Sequence, residues 1–406
     1  MKKAISFKQA MFLLPLLLLL AVFAIYPIIT SAVYSLFDYR TNDPTAAGLY
    51  TSSNFNAPLF YEDCDYVTWY MEDDISLLPE ADATKMMALC DELNIIAAPY
   101  KDVKEVISMS SSEGDAIFGR VNEIRQEMMD ILNRNSEIEY YYGPETYSIL
   151  FDEIDGCMLS SNFNGLKAYG KLLKDTRFGD SLKSTLIFTV ISVFCELVLG
   201  MALALIMNKA IKGIGIVRTT SLIPWAIPTA VSALMWSYMY DGSSGIVAKV
   251  FADIGLIAAP EQMLLSAGGA MTAAILADVW KTTPYMALLL LAGLQIIDSG
   301  LYESAKVDGA GPIRTFFSVT LPLLKPSMLV ALLFRTLDAF RVYDLIAVLT
   351  GGAQGTETLS IYAYKLMIGQ SNYGYGSAVV LAMALLVGII AFFFVKFLGA
   401  ELISDD

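Results

Sequence analysis

The sequence predicts an all-α membrane protein with six spanning helices and one separate acidic segment, and three observations support this fold class. Of its 406 residues, 56% are hydrophobic and 17% are charged, with a mean hydropathy of +0.55, whereas soluble domains average about 45–50% and about 25%. Six apolar stretches reach the roughly 20 residues that a bilayer-spanning helix needs. Basic residues recur in alternate loops between these stretches. Helices are expected because a spanning helix satisfies its own backbone polar groups.

The negative charge of the chain is concentrated in one segment. Residues 41–165 hold 24 acidic and 6 basic residues, a net charge of −18, so the remainder carries +4 within the total of −14. Nucleic-acid binding is therefore not indicated for either part. The chain has no histidine, which removes the commonest metal ligand and the usual proton carrier near neutral pH. We accordingly predict no catalytic residue and no metal site.

The apolar stretches define the predicted spans and domains. The first is free of charge from Gln9 to Phe37 and is too long for the core of a signal peptide, so we expect a retained span. This assigns residues 1–40 to an N-terminal tail and first span, residues 41–165 to the acidic segment, and residues 166–406 to a five-span domain. The other predicted spans are Leu186–Asn208, Ile216–Tyr240, Ala267–Ile297, Ser327–Leu349 and Ser377–Phe397.

The positions of basic residues predict the orientation of the spans, because lysine and arginine collect in cytoplasmic loops. They fall before the first span, after the second, and between the fourth and fifth. We therefore expect the N-terminus, both of these loops and the C-terminal tail inside, and the acidic segment outside. The basic residues concerned are Lys2, Lys3, Lys8, Lys209, Lys212, Arg218, Lys306, Arg314 and Lys325.

The sequence of the loop between the fourth and fifth spans, residues 298–322, predicts two helices lying along the cytoplasmic surface. A helix-forming run from Leu301 ends at Gly309. Gly309 and Gly311 permit a sharp reversal of the chain, after which Pro312 is well suited to begin a second helix. The loop therefore predicts a helix-turn-helix unit.

The acidic and proline residues of this loop predict a contact with a cytoplasmic partner and a stiff connection to the next span. Glu303 and Asp308 are expected to be exposed, where they can meet basic groups of a cytoplasmic partner. Pro322 and Pro326 are expected to stiffen the return of the chain into the bilayer.

The loop resembles the EAA loop of ABC import permeases. The glutamate, the alanine, the aspartate-glycine-alanine run and the later leucine-proline recur at the family spacing, with Ser304 in place of a second alanine. The resemblance implies that this loop is the coupling helix that docks in a groove of an ATPase subunit. The residues implied for this coupling are Glu303, Ser304, Ala305, Asp308, Gly309, Ala310 and Pro322.

The resemblance covers residues 9–40 loosely and residues 163–399 almost continuously, and it is closest to the maltose-type permeases of the carbohydrate-uptake group. It implies the six-span bundle of type I ABC importers in the inner membrane, and import of a sugar. The implied partners are membrane lipid, a second permease subunit, two ATPase subunits that hold ATP and Mg, and an extracytoplasmic solute-binding protein; this chain binds no cofactor. The segments that carry the likeness are Phe163–Leu173, Leu222–Thr229, Asp278–Tyr285, Asp338–Asp344 and Leu349–Gly352.

Charged residues occur inside two predicted spans, where each costs roughly 2.5–3.5 kcal/mol on insertion scales. They are Asp278, Lys281, Arg335, Asp338, Arg341 and Asp344. One interpretation is pairing of Asp278 with Lys281 and of Arg335 with Asp338, three residues apart, which would fix helix packing. The other is a polar lining for a sugar. For Glu196 in the second span we predict a hydrogen bond that stabilises packing.

Matching the motifs to the maltose-type permeases implies a substrate path. Most of the matched residues differ in type from the maltose case, so maltose itself stays open, and Pro284 is expected to break its helix and free carbonyls. A polyol or a glycerol phosphate is the alternative substrate, because Lys281 and Arg335 would neutralise an anion; a membrane-embedded hydrolase or a sensor is the remote alternative. The implied path residues are Trp225, Thr229, Asp278, Lys281, Thr282, Tyr285, Arg335, Ala339 and Val342.

The acidic segment stands where the family has a short outer loop. Ser52–Asn56 recurs as Ser160–Asn164, 108 residues later, and without those 108 residues the remaining 298 suffice for six spans. We therefore hypothesise an inserted extracytoplasmic domain. Apolar residues at three- and four-residue spacing predict helices at Glu80–Ile96 and Glu113–Asn133. Docking of the binding protein, weak cation binding and simple solubility all remain open as roles for its charge.

Three of the four cysteines lie in this acidic segment. An extracytoplasmic location would allow one disulfide, and the sequence does not determine which two of Cys64, Cys90 and Cys157 would form it. Cys195 lies in an apolar stretch, and no CxxC spacing predicts a zinc or redox site.

Overall fold

The computed structural model describes residues 7–209 and 213–404 and is built almost entirely of helices, which confirms the all-α class. The basic residues Lys2, Lys3 and Lys212 of the orientation argument lie outside the described residues. The chain divides into two compact units, one of Met1–Ala168 with Gln370–Tyr375 and one of Tyr169–Gly369 with Gly376–Asp406.

The first unit contains the first span and the acidic segment. Residues Leu14–Tyr34 are long and apolar enough to cross a membrane, as predicted. A three-stranded antiparallel sheet, in the order β2-β1-β3, accompanies four helices in the acidic segment. The elements are α1 (Phe7–Leu20), a π-helical turn (Ala21–Ile25), α2 (Tyr26–Tyr34), β1 (Asn54–Phe55), α3 (Ala57–Ile75), α4 (Glu80–Ala97), a 3-10 turn (Ala98–Tyr100), β2 (Ile107–Ser108), α5 (Ser111–Arg134), α6 (Gly143–Asp155) and β3 (Met158–Leu159).

The acidic segment has its own hydrophobic core, formed by α3, α4, α5 and α6. Helices α4 and α5 match the two predicted helices, and α5 begins with a capping box in which Ser110 and Glu113 bond each other's backbone N–H groups. Helices α3 and α6 were not predicted from the sequence. In α3 the apolar side chains recur at helical spacing among many acidic residues, and they are fully buried: Phe60, Cys64, Val67 and Met71.

The two copies of the repeated sequence flank this helical core. Strand β1, inside the first copy, pairs with β3, which ends just before the second copy, so that Asn54 lies opposite Leu159. In the second copy, the Asn162 side chain accepts from the Tyr50 N–H (2.9 Å) and donates to the carbonyls of Asp38 (3.1 Å) and Gly48 (2.8 Å). The segment therefore begins and ends at adjacent points. Its insertion into a shorter permease stays a prediction.

All four cysteines are free thiols. The three in the acidic segment are buried in its core, and burial raises the pKa of the Cys90 thiol to about 12. Cys157 donates from its Sγ to the Asp63 carboxylate, 3.8 Å away. The structure therefore contains no disulfide among Cys64, Cys90 and Cys157.

The helices that follow carry the remaining spans. Four are continuous, at Thr176–Met207, Ala267–Leu294, Pro312–Phe340 and Tyr373–Phe397, and one is bent. With the first span included, the described residues contain five continuous helices able to span a membrane, and six spans if the bent pair counts as one, which is the predicted number. The elements are α7 (Lys167–Leu172), α8 (Thr176–Met207), α9 (Ile214–Ser221), α10 (Ile223–Ala226), α11 (Thr229–Met239), α12 (Ile246–Asp253), α13 (Gln262–Leu265), α14 (Ala267–Leu294), α15 (Ser299–Val307), α16 (Pro312–Thr315), a π-helical turn (Phe316–Thr320), α17 (Leu321–Phe340), α18 (Asp344–Leu349), α19 (Leu359–Tyr364), a π-helical turn (Lys365–Gly369) and α20 (Tyr373–Ser404).

The centre of the second unit is the packing of α14 against α8 and α17. Small residues allow these helices to approach closely, as is common between membrane helices. A Cβ added to Gly200 of α8 would lie 2.8 Å from the Met286 side chain of α14. One added to Gly293 of α14 would lie 2.5 Å from the Ser327 side chain of α17. These three helices carry the buried charges of the site.

Candidate functional site

A polar cavity of about 340 Å³ lies in the second unit, at the level where two helices are interrupted. Interrupted membrane helices are a recurrent feature of transporter sites because their free backbone groups face the cavity. Seven of the nine predicted path residues line it. The lining residues are Trp225, Thr229, Asp278, Lys281, Thr282, Arg335, Asp338, Arg341, Val342, Tyr343, Asp344 and Leu345.

The first interruption divides the third span. Its two halves, Ile214–Ala226 and Thr229–Met239, meet at an angle of 88°. Ile227 has an extended backbone (ψ 133°) and Pro228 precedes the first residue of α11. The prediction of one continuous span was wrong because proline lacks an N–H group and disfavours the helical conformation in the residue before it.

The second interruption ends the fifth span early. Helix α17 stops at Phe340, Arg341 to Tyr343 are not helical, and α18 begins at Asp344. The predicted span Ser327–Leu349 was therefore shifted toward the C-terminus. The span begins at Pro312, because the helix that starts in the preceding loop continues through a π-helical turn into α17.

Pro284, by contrast, does not interrupt its helix. Helix α14 is continuous from Ala267 to Leu294, with Pro284 buried inside it, so the expected break was wrong. A proline removes one backbone donor from a helix, and neighbouring packed helices make such residues tolerable within a membrane. The break that serves the cavity is the one at Pro228.

One arginine connects three helices beside the cavity. Arg335 of α17 is 1% exposed and donates to both carboxylate oxygens of Glu196 on α8, at 2.5 and 2.9 Å. It also bonds Asp278 of α14, and Asp338 one turn along α17 at 2.8 Å. Glu196 accepts from Thr282 as well, at 2.8 Å. The predicted pairing of Arg335 with Asp338 and the packing hydrogen bond of Glu196 are therefore present.

The pairing of Asp278 with Lys281, which the packing interpretation required, is absent, so that interpretation was wrong for this pair. Asp278 bonds Arg335 instead. Lys281 donates from Nζ to the backbone carbonyls of Trp225 (3.2 Å) and Ile227 (2.9 Å), at the break of the third span. Within the part of the chain that the structure describes, Lys281 forms no ion pair. The two residues project from α14 toward different helices, which spacing along one helix does not reveal.

The remaining path residues differ in position. The Tyr285 ring stacks on Trp225, with centroids 5.4 Å apart and planes 10° apart, so it supports the cavity wall from behind. Ala339 is buried in α17 and does not line the cavity. Five lining residues were absent from the predicted path: Asp338, Arg341, Tyr343, Asp344 and Leu345. The recurrence of charge at every third position from Arg335 to Asp344 was the signal for three of them.

The loop between the fourth and fifth spans places six of the seven implied coupling residues on one helix and its terminal turn. Helix α15 begins after Asp298, whose carboxylate accepts from the Gly300 N–H (3.0 Å). It ends in a Schellman motif: Ala310 N–H bonds the Ala305 carbonyl and Gly309 N–H bonds Lys306, with Gly309 at φ +75°.

The side chains of this loop follow the predicted exposure. Glu303, Ser304 and Asp308 are exposed. Pro322 lies apart from them, near the start of α17. The predicted second surface helix is only α16, because the chain continues directly into the fifth span. The prediction was thus right for the first helix, for the turn and for the start of the second helix at Pro312, and wrong in separating that second helix from the fifth span.

Fold and cavity together define a polytopic membrane protein with a polar path through a helical bundle. The family model described as binding-protein-dependent transport system inner membrane component matches residues 196–403, about half of the chain. The chain belongs to this family. It is a multi-pass inner-membrane permease subunit of an ABC transport system that works with a binding protein.

Three relatives show the breadth of the family. The trehalose/maltose transport system permease protein MalF of Thermococcus litoralis is 45% identical over 227 residues, 55% of this chain and 76% of that protein. The trehalose transport system permease protein SugA of Mycobacterium tuberculosis is 43% identical over 238 residues, 59% and 76% of the two chains. The sn-glycerol-3-phosphate transport system permease protein UgpA of Agrobacterium fabrum is 34% identical over 240 residues, 58% and 80%.

Solved structures agree on the fold. A chain of a bacterial ABC transporter involved in the import of the acidic polysaccharide alginate matches with a TM-score of 0.53 at 24% identity, over 58% of this chain and 84% of that chain. A second structure of the alginate transporter, in complex with an alginate pentasaccharide-bound periplasmic protein, matches with a TM-score of 0.52, over 57% and 81%.

Proposed function

We propose that this chain is the translocation subunit of an importer for a neutral sugar or oligosaccharide, which passes through the cavity between the two helix breaks. The observation that carries the proposal is the cavity itself, because it combines an aromatic face with closely spaced donors and acceptors. Sugars present hydroxyls that need both kinds of partner, and apolar CH faces that suit aromatic rings. The two most similar relatives named above are trehalose or trehalose/maltose permeases.

The charge balance of the cavity favours a neutral substrate over a phosphate. Three carboxylates and three basic groups line it. Arg335, one of the two residues expected to neutralise an anion, is already bonded to three carboxylates, among them the buried Glu196. A phosphate would therefore meet no net positive charge, and desolvating an unpaired anion is costly.

Uptake by the reconstituted importer tests the substrate class. We expect proteoliposomes to accumulate radiolabelled trehalose when ATP is supplied, and to accumulate sn-glycerol 3-phosphate at a rate at least tenfold lower. The relative UgpA makes glycerol phosphate the appropriate comparison. Equal or preferential uptake of the phosphate would overturn the assignment to neutral sugars.

The subunit arrangement belongs to the same proposal. A second permease subunit completes the path, two ATPase subunits bind ATP and Mg and hydrolyse ATP, and an extracytoplasmic protein delivers the sugar. This chain holds no cofactor and performs no catalysis. Exposed Glu303 and Asp308 on and beside α15 support an ATPase contact, because an exposed acidic helix end suits a basic groove of a partner.

Charge reversal in the coupling helix tests this contact. Glu303→Lys is expected to abolish ATP-driven uptake while leaving membrane insertion and substrate binding intact, because it places a cation where an acid meets the ATPase. The matched control is Glu137→Lys, an exposed glutamate of the acidic segment, which should transport normally. Crosslinking from position 303 should reach the ATPase. Normal uptake by Glu303→Lys would exclude the coupling role.

A further inference from the structure

The break in the third span is held by a side chain from another helix. The half-helix Ile214–Ala226 ends with carbonyl groups that have no partner in a following helical turn, since Ile227 is extended. Lys281 of α14 donates to two of these carbonyls, those of Trp225 and Ile227. A cation at the carboxyl end of a helix is favourable both as a donor and through the helix dipole.

The burial of Lys281 makes this arrangement specific. The residue is 8% exposed, and a buried ammonium must replace the water that it loses. In the described residues its hydrogen-bond partners are the two carbonyls of the break, while the carboxylates of Asp278 and Asp338 attract it only at longer range. The break and the ammonium therefore satisfy each other: without the break, these carbonyls would be bonded within a helix, and without Lys281 they would be left unpaired beside the cavity.

A second contact from the same helix reinforces the first. Tyr285, one turn beyond Lys281 on α14, stacks on the Trp225 ring. Residues four apart lie on one face of a helix, so α14 presents a donor and a ring together to the end of the half-helix. Trp225 and Thr229, on either side of the break, both line the cavity, as does Lys281. The substrate would therefore enter at the point where the bend is fixed.

We propose that Lys281 is a positioning residue that latches the 88° bend of the third span, and that hydroxyl oxygens of the substrate compete with the Trp225 and Ile227 carbonyls for its ammonium group. Occupation of the cavity then loosens the bend and links substrate arrival to movement of the half-helix. This inference rests on the proposed function for the identity of the substrate, whereas the latch itself depends on geometry alone.

Distance measurements across the break test the latch directly. Ile216 and Tyr238 are 71% and 77% exposed and lie on opposite halves of the span, so spin labels on cysteines there report the bend in the assembled importer in lipid nanodiscs. Only Cys195 needs replacement with alanine, because the other three cysteines are buried. The variants are Lys281→Met, which keeps the chain length and removes the donors, and Lys281→Arg, which keeps charge and donors.

We expect one narrow distance distribution for the wild type and Lys281→Arg, and a broader one shifted to longer distances for Lys281→Met, since a straighter span separates the labels. Trehalose at saturating concentration should shift the wild type in the same direction. ATP-driven trehalose uptake by Lys281→Met should fall about tenfold or more. If Lys281→Met does not assemble, Lys281→Leu, which also lacks hydrogen-bond donors, is expected to give the same loss of the narrow distribution.

The outcomes separate the latch from the proposed function. An unchanged distance distribution in the uncharged variant overturns the latch even when uptake falls, since Lys281 would then only contact substrate. If the wild-type importer transports trehalose but its distance distribution does not change when trehalose is added, the proposed competition for the Lys281 ammonium group is overturned. Absence of trehalose uptake by the wild type, with the variant distances shifted as expected, leaves the latch standing and removes the assignment of substrate.

Discussion

At the scale of single residues, Arg335 is a buried cation that requires carboxylate partners. Two of its three carboxylate partners, Glu196 and Asp278, are buried, so the guanidinium is what makes their burial tolerable. Asp338, by contrast, has a side chain that is 70% exposed and faces the cavity. The cluster thus extends from the buried Glu196 on α8 to the exposed Asp338 carboxylate on α17. This arrangement suits both helix packing and substrate contact.

Removing this guanidinium should destabilise the whole second unit. Arg335→Met leaves Glu196 and Asp278 buried without their cation, and breaking a buried ion pair in this way costs about 3–5 kcal/mol. We expect thermal unfolding of the purified chain in detergent to begin at a clearly lower temperature. The matched control is Arg341→Met, whose exposed guanidinium donates to the Leu337 carbonyl and which should shift the midpoint little. Similar shifts for the two variants would contradict the structural role of the cluster.

At the scale of secondary-structure elements, function is concentrated where helices end. The cavity lies between the breaks at Pro228 and Arg341, and the loop between the fourth and fifth spans depends on the reversal at Gly309. Each of these sites exposes backbone groups that a continuous helix would bond internally. The chain then supplies specific partners for them, such as Lys281 at the first break.

The reversal at Gly309 gives a clean substitution test. Gly309→Val forces a β-branched residue into the left-handed region (φ +75°), at a cost of about 1–2 kcal/mol. We expect ATP-driven uptake to fall several-fold, with normal insertion, because α15 would end incorrectly. Gly311→Val is the control: Gly311 has an ordinary extended backbone (φ −71°, ψ 167°), and both glycines have open space for a Cβ. Equal loss in both variants would argue against a backbone cause.

The elements show which physical information a sequence carries. Hydropathy predicted the number of spans, and apolar spacing predicted α4 and α5, because both depend on local composition. The breaks were misplaced: Pro228 ends a helix while Pro284 lies within one. The same residue type had opposite outcomes because tertiary packing around each proline differs. Helix α3 was not predicted because many acidic residues lie among the apolar residues that form its buried face.

At the scale of the whole molecule, the site was predictable as a set of residues and only in part as a set of contacts. Seven of the nine path residues implied by the family resemblance line one cavity, which supports them as candidates while their role stays a prediction. The bonding partners of these residues were harder to predict from the sequence. In one of the two interpretations Asp278 would pair with Lys281 on its own helix, yet each bonds a different neighbouring segment. Pairing between helices depends on their rotation, which spacing along the chain does not specify.

The acidic segment completes the molecule and leads to the remaining prediction. The 24 acidic residues of this segment contrast with the net charge of +4 on the rest of the chain, and its hydrophobic core consists only of residues from the segment itself. Because Asn54 pairs opposite Leu159, the chain leaves this core beside the point where it begins. A segment with adjacent ends and its own core can be removed with little strain on what remains.

Deletion of residues 52–159 joins Thr51 to Ser160 and retains one copy of the repeated sequence. The bonds from Asn162 to Tyr50, Asp38 and Gly48 involve only retained residues. We therefore expect the 298-residue chain to insert, to assemble with its partners and to take up trehalose at a rate within about threefold of the full-length chain, compared in the same proteoliposomes. Failure to insert would show that the segment is integral to the fold. Normal insertion without uptake would instead assign the acidic surface an indispensable part in transport, contrary to an inserted domain whose carboxylates serve mainly to keep it solvated.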